Sequence, residues 1–104
     1  MQNKRMLLSA TPTQQLVTES VRVTRWDFPP STETGVHQHE YDYVVVPVIS
    51  GVLSITSPSG DVAEVPIRVG ESYMRLAGVE HNVANHTADP VAFVEIELLE
   101  HPLV

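Results

Sequence analysis

Apolar and polar residues alternate with a period of two along much of the chain. The alternation is clear in residues 21–26 and 62–69, while residues 41–49 and 91–99 form longer, valine-rich apolar runs. Shorter extended segments are predicted at 36–39, 52–56, 72–76 and 81–85. Turns rich in proline, glycine and serine separate these segments, and no run has the helical period of 3.6. The sequence therefore predicts an all-β protein, an antiparallel sandwich or barrel.

The length of 104 residues is that of one domain with one hydrophobic core. Residues 1–13 have no clear period, so we expect a loose N-terminal arm followed by a single β-domain over residues 14–104. The valine-rich strands of such a small sandwich would leave exposed sheet edges, which proteins tend to cover. A homodimer that shares strands would cover them, so a homodimer is the predicted assembly.

Charge and cysteine content narrow the function classes. The formal net charge of −7 argues against nucleic acid or an anionic membrane as a partner, because both need clustered cations. No stretch approaches the ~20 apolar residues of a membrane helix, so a cytoplasmic protein is expected. The chain has no cysteine, which excludes disulfides and thiolate metal sites. Any metal site must consist of imidazole and oxygen ligands.

Two histidines separated by one residue suggest a metal site. On an extended strand, His37 and His39 point to the same face, so both imidazoles can reach one ion. A third histidine, His81, lies far downstream among turn-like residues and can complete the set. The alternative is a chance pair on a solvated strand. We interpret the three histidines as ligands held in one pocket.

Two spaced motifs resemble those of the cupin superfamily. The second cupin motif, G(x)5PxG(x)2H(x)3N, is matched by Gly70, Gly78, His81 and Asn85, with Leu76 in the proline position. The first, G(x)5HxH(x)3–4E(x)6G, is matched by His37, His39 and Gly51, with Ser31 in place of the opening glycine. The resemblance implies a jelly roll, usually dimeric, with a divalent metal ion deep in one end.

The chain departs from the first motif at the glutamate. Counting forward from His39 places that position at Tyr43, whereas counting back from Gly51 places it at Val44. One extra residue between Tyr43 and Gly51 would reconcile the two counts, and Pro47 lies in this interval. Proline within a sheet favours a bulge or an edge, and a bulge adds one residue to one strand. We therefore place Tyr43 at the carboxylate position and predict a bulge near Pro47.

Three neutral imidazoles without a carboxylate leave a divalent ion its full charge. Such a site suits iron, zinc, nickel or manganese, and the sequence does not choose among them. Strand parity places Tyr41 and Tyr43 on the histidine face, where Glu33 could join them, and turns Glu40 and Asp42 away. Tyr43 is either a weak ligand, a base whose phenol pKa the metal lowers, or a packing residue.

Arg75, which directly precedes the proline position of the second motif, is a candidate substrate ligand. Arg75 could clamp a substrate carboxylate with two hydrogen bonds, or it could be a surface residue paired with Glu71 or Glu80. Arg25 is a weaker candidate for the same role.

The last predicted strand carries two further acidic residues. Glu95 and Glu97 alternate with Val94, Ile96 and Leu98. We expect the apolar residues to face the core and both glutamates to point outward as solvated charges.

Three functions are consistent with these features. The first is a small metal-dependent enzyme, dioxygenase-like or a lyase, decarboxylase or isomerase, that acts on a small carboxylated or carbonyl metabolite. The second is a non-catalytic module that senses or stores a small ligand, which the missing carboxylate favours. The third is a structural role in which the histidines are remnants.

Residues 39–47 also resemble those of small bacterial cupins assigned to β-alanine degradation, which points to amino-acid or keto-acid metabolism.

Overall fold

The computed structural model describes residues 7–100, and all regular structure in them is β-strand. The strands are β1 (Leu8–Ser9), β2 (Thr11–Val17), β3 (Val21–Phe28), β4 (Thr32–Glu33), β5 (His37–Gln38), β6 (Tyr43–Ile49), β7 (Gly51–Thr56), β8 (Val62–Ile67), β9 (Tyr73–Arg75), β10 (Glu80–Asn85) and β11 (Val91–Leu98). Residues 7–100 contain no helix long and apolar enough to cross a membrane. The prediction of an all-β chain is confirmed.

The strands form two sheets that pack as a sandwich. One sheet has the order β1-β4-β10-β7-β8, with β5 also paired to β10, and the other has the order β2-β3-β11-β6-β9. Every pair is antiparallel except the short β1–β4 pair. The predicted jelly roll is therefore confirmed as an open sandwich, and the sheets do not close into a barrel.

The core lies between the two sheets. Phe28 is fully buried, and its ring centroid lies 5.6 Å from that of Phe93. The other buried apolar side chains of the core cluster are Ala10, Tyr43, Val45, Leu53, Ile67, Val83 and Val91. Burying each large side chain contributes about 1.5–3 kcal/mol, so this cluster is the main source of stability.

Strand pairing begins before the predicted domain start. Residues 1–6 of the predicted arm lie outside the described residues. From Leu8 onward the chain is paired, β1 with β4 and β2 with β3. All residues of β2 are exposed, so this strand has no buried face to produce an alternating pattern. The boundary at residue 14 stays a prediction.

The bulge predicted near Pro47 is confirmed. Phe93 of β11 lies opposite Pro47, whereas the neighbouring Ala92 lies opposite Ile49, so Val48 is the extra residue on β6. A bulge of this kind shifts the register by one residue. Tyr43 therefore lies on the inner face although the count back from Gly51 points to its neighbour.

Ser31, which replaces the opening glycine of the first cupin motif, adopts a backbone conformation that favours glycine. Its φ is +62°, and it is the one described non-glycine residue with a positive φ. Its amide donates a hydrogen bond to the carbonyl of Asn85, 2.9 Å away. The Asn85 side chain is itself buried and donates to the carbonyls of Phe28 and Asp89 at 2.9 and 2.8 Å. These motif positions therefore stabilise the turns that flank the histidine strands.

Candidate metal centre

Backbone pairing brings the three histidines together. His37 in β5 and His81 in β10 are direct antiparallel partners. His39 follows β5, where its amide donates to the carbonyl of Val79 and its carbonyl accepts from the amide of Gly78, at 2.9 and 2.8 Å. Gly78 has a φ of +94°, a conformation that glycine adopts without strain. The sequence therefore holds the remote histidine against the other two through main-chain hydrogen bonds.

The imidazole nitrogens converge on one point. Nε2 of His39 lies 3.1 Å from Nε2 of His37 and 3.1 Å from Nε2 of His81. All three ligand atoms lie within 4.8 Å of one another. Nδ1 of His37 lies 2.8 Å from the carbonyl oxygen of Gly35, which can only accept, so this nitrogen donates. In the neutral ring, Nε2 of His37 then has a free lone pair for an ion.

This arrangement fits a divalent metal ion. Nitrogens bound at about 2.0–2.1 Å to one ion lie about 3.0–3.4 Å from each other in tetrahedral or octahedral geometry. The nitrogen of His39 lies at such a distance, 3.1 Å, from those of His37 and His81. Burial, and after it the neighbouring His37, lowers the pKa of His39 and of His81 to about 4. Both rings are therefore neutral at pH 7, as metal ligation requires.

The histidines line one wall of a partly open cavity, here called the histidine cavity. Its volume is about 70 Å³, which is enough for several water molecules or one small ligand beside an ion. Apolar side chains form most of its wall, namely Trp26, Val45, Leu53, Ile55, Tyr73, Val83 and Phe93. The remaining wall residues are Thr34, Tyr43, Arg75, Glu95 and the three histidines. The cavity thus combines dry walls with few polar groups, as small-molecule sites do.

Comparison with known proteins agrees with this geometry. The family model for the cupin domain matches residues 24–97. The chain belongs to the cupin family. It is 49% identical over 89 residues to the β-alanine degradation protein BauB of Pseudomonas aeruginosa, covering 86% of this chain and 93% of that protein.

Solved structures of other cupins share the fold. A cupin domain from Bordetella pertussis is 45% identical and superposes with a TM-score of 0.86. The superposition covers 91% of this chain and 98% of that one. A Klebsiella pneumoniae protein with a double-stranded β-helix domain is 23% identical, with a TM-score of 0.70 over 86% of this chain and 76% of that one. The second likeness shows the fold alone.

Tyr43 lies in the histidine cavity of this cupin. Its ring stacks on that of His39, with centroids 3.9 Å apart and planes inclined by 22°. The side chain is 2% exposed. Burial raises its pKa well above the usual value, and Glu95 adds to this effect, whereas Arg75 opposes it. At neutral pH the phenol is therefore protonated and can donate a hydrogen bond to a ligand.

Arg75 also lines the cavity, from the rim. It lies on β9 opposite Tyr43, and its guanidinium is 5.5 Å from the ring centroid of Tyr73. The predicted surface pairs do not form, since Glu71 lies 3.9 Å from Arg68 and no described carboxylate lies within ion-pair distance of Arg75. Its positive charge helps to lower the pKa of His81. Arg75 is thus an unpaired cation, among residues 7–100, beside the histidines.

Three other candidates lie away from the cavity wall. Tyr41 is half-buried with the guanidinium of Arg22 6.0 Å from its ring. Glu33 accepts a hydrogen bond of 2.8 Å from the side chain of Asn82. Arg25 pairs with Asp27 at 3.1 Å, two residues along the same strand. Strand parity therefore placed Tyr43 correctly, but not Tyr41, which precedes β6, or Glu33, which lies on β4.

The expectation that Glu95 and Glu97 point outward is wrong. On β11, Glu95 lies opposite the buried Val45 and Glu97 opposite the buried Tyr43, so both glutamates face inward. Glu97 accepts two hydrogen bonds from Arg22, of 2.7 and 2.9 Å. Glu95 is 9% exposed and lines the histidine cavity. Both faces of β11 carry apolar residues, so the alternation does not identify which face is buried.

The environment of Glu95 changes its acidity. Burial, together with the negative charge of Glu97 and against the opposing charge of Arg22, raises the pKa of its carboxyl group to about 7. No described residue donates a hydrogen bond to this carboxylate. The alternation along the last strand did not identify Glu95 as a residue of the cavity. Glu95 and Phe93 are two residues apart on one strand and share a face. Assigning the aromatic Phe93 to the core therefore places Glu95 on the inner face.

Proposed function

We propose that this cupin binds a divalent metal ion through His37, His39 and His81 and is a small metalloenzyme. The observation that carries the proposal is the convergence of three imidazoles on one point in a largely apolar cavity. Iron, zinc, nickel and manganese suit the ligand set. A bound ion would supply Lewis-acid chemistry or, for iron, reaction with dioxygen.

The protein groups around the histidines favour a small carboxylated or carbonyl metabolite as the substrate. The unpaired guanidinium of Arg75 is suited to a carboxylate, which it can bind with two hydrogen bonds. The protonated phenol of Tyr43 is suited to donate a hydrogen bond to a carbonyl oxygen. Apolar walls exclude water and strengthen both interactions. Similarity to a protein of β-alanine degradation supports a small amino acid or keto acid as the substrate class.

The metal assignment is tested by replacing one proposed histidine ligand and, as a control, one histidine outside the site. His86 is exposed in the loop after β10, so His86→Ala is a matched control for His81→Ala. Purified protein is analysed for metal content, stripped, and reloaded with Fe²⁺, Mn²⁺, Ni²⁺ or Zn²⁺. We expect the wild-type protein and His86→Ala to bind one ion per chain and His81→Ala to lose it. Equal metal content in the two variants would refute the site.

The reaction class is tested by turnover of the metal-loaded protein with small amino acids and keto acids. Oxygen uptake that matches substrate loss indicates dioxygenation. Substrate loss without oxygen uptake indicates lyase or isomerase chemistry. A metabolite that raises the melting temperature but is recovered unchanged favours the alternative, a non-catalytic ligand-binding cupin. The observation that favours this alternative is Tyr43 in place of the motif carboxylate.

A further inference from the structure

Glu95 is a buried carboxylate without a protein partner. It is 9% exposed, and none of residues 7–100 donates a hydrogen bond to it. The neighbouring cation, Arg22, already makes two hydrogen bonds to Glu97. A carboxylate in a mostly apolar environment is stabilised when a ligand or a proton compensates its charge. No fully buried side-chain oxygen or nitrogen among residues 7–100 lacks a hydrogen-bond partner, so the carboxylate oxygens of Glu95 open onto the cavity, where a ligand can reach them.

Glu95 lies where the histidine cavity meets the exterior. A second depression, here called the outer pocket, shares Glu95, His37 and His39 with the histidine cavity. The outer pocket is otherwise lined by Trp26, Thr34, Gln38 and the charged residues Arg22, Glu40 and Glu97. Three carboxylates against one arginine give this approach a negative charge. A cationic group entering from the outer pocket reaches Glu95 beside the histidines.

The other charge that borders the cavity is positive and lies across β6. Arg75 is opposite Tyr43 on one side of β6, and Glu95 is opposite Val45 on the other side. Two strand spacings separate β9 from β11, and Tyr43 and Val45 are two residues apart, so the backbones at Arg75 and Glu95 lie about 12 Å from each other. Both side chains line the cavity between them. The two charges are not paired with each other among the described ion pairs. Both remain available to one ligand.

We propose that Glu95 accepts a hydrogen bond from the ammonium group of a small zwitterionic amino acid whose carboxylate is bound by Arg75. The inference rests on the proposed function for the position of this ligand beside the histidines, and it names the substrate class. An ammonium group supplies the missing hydrogen-bond donor and stabilises the ionised form of Glu95. A keto acid lacks this donor. The proposal therefore selects amino acids over keto acids.

The test measures affinity for matched pairs of probes by calorimetry, in zinc-loaded and in metal-free protein. The pairs are glycine and acetate, 3-aminopropanoate and propanoate, and 4-aminobutanoate and butanoate. For at least one pair we expect the amino acid to bind about tenfold or more tightly than its partner, the effect of one charge-assisted hydrogen bond. In Glu95→Gln this ratio should fall to about one, while binding of the simple carboxylate is retained.

Two further variants control the measurement. Glu71→Gln removes an exposed charge on the turn after β8 and should leave the affinity ratio unchanged. Glu95→Asp keeps the charge and should retain part of the affinity ratio. This variant also tests the role of Glu95 if Glu95→Gln folds poorly. Ratios near one for all three pairs in the wild-type protein, or an unchanged ratio in Glu95→Gln, overturn the inference. Selective amino-acid binding without metal binding would refute the proposed metalloenzyme but not the role of Glu95.

Discussion

Replacing Glu95 by glutamine should stabilise the ligand-free protein increasingly as the pH rises. Burial raises the pKa of Glu95 from 4.5 to about 7 in the folded state. Below pH 4.5 both states hold the proton, so the carboxyl group costs nothing through ionisation. Between these values the folded state binds more protons than the unfolded state, so stability falls as the pH rises. Glutamine has a similar shape and no charge, so it lacks this dependence.

The size of the effect follows from the two pKa values. The difference between 7 and 4.5 is about 2.5, and each pKa unit corresponds to about 1.4 kcal/mol, which gives a cost of up to about 3 kcal/mol above pH 7. In a domain of this length, 1 kcal/mol shifts the melting temperature by about 4–8 °C. The melting temperature of Glu95→Gln relative to wild type should therefore rise by roughly 10 °C between pH 5 and pH 8.

Urea and thermal unfolding of metal-free protein, followed by circular dichroism from pH 4.5 to 8, measure this difference. His39 and His81 contribute the opposite trend, because their lowered pKa values cost stability as the pH falls. That trend is present in both proteins and is removed by taking the difference. Glu71→Gln, which removes an exposed charge, should follow the wild-type curve. Parallel curves for Glu95→Gln and wild type would refute the assignment of Glu95 as a buried, unpartnered acid.

Three further predictions concern the fold and assembly. Ser31→Gly should raise the free energy of unfolding in urea by about 0.5–1 kcal/mol, because the positive φ strains a residue with a Cβ; a loss of stability would contradict this. Gly51→Ala should lower it by about 1–3 kcal/mol, because the added Cβ would meet Cγ2 of the buried Val91; a neutral effect would show that β7 shifts freely. Light scattering should give twice the chain mass of 11.5 kDa, and Leu16→Lys on the exposed β2 should give the monomer; a wild-type monomer would contradict the homodimer.

The clustering of the three histidines was predictable because backbone geometry fixes it. Period two places His37 and His39 on one face, and the motif spacing brings His81 opposite them. The serine that replaces a motif glycine still has a positive φ, so the turn is retained although the residue type differs. The one-residue conflict in the count around Pro47 identified a bulge. Spacing thus predicts where the backbone places a side chain even when that side chain has changed.

The inner polar residues of β11 were not predictable from alternation. Val94 and Ile96 are half-buried on the outer face, while Phe93 and Glu95 are buried on the inner face. Because both faces carry apolar residues, hydrophobicity does not say which one is the core. The pairing with Val45 decides the orientation of Glu95, and pairing between distant strands is not encoded locally. The exposed strand β2 was missed for the related reason that neither of its faces is buried.

This distribution of residues itself supports a functional reading of the cavity. The inner face of the five-stranded sheet carries Glu95, Glu97 and Arg22 at the end near the histidines, while the outer face there carries valines and isoleucine. A sequence selected for stability alone would reverse this order, since apolar residues stabilise a core and charges are solvated at a surface. Proteins depart from such rules mainly at functional sites. If Glu95→Gln gained stability at high pH and lost no ligand selectivity, the departure would have no function to explain it.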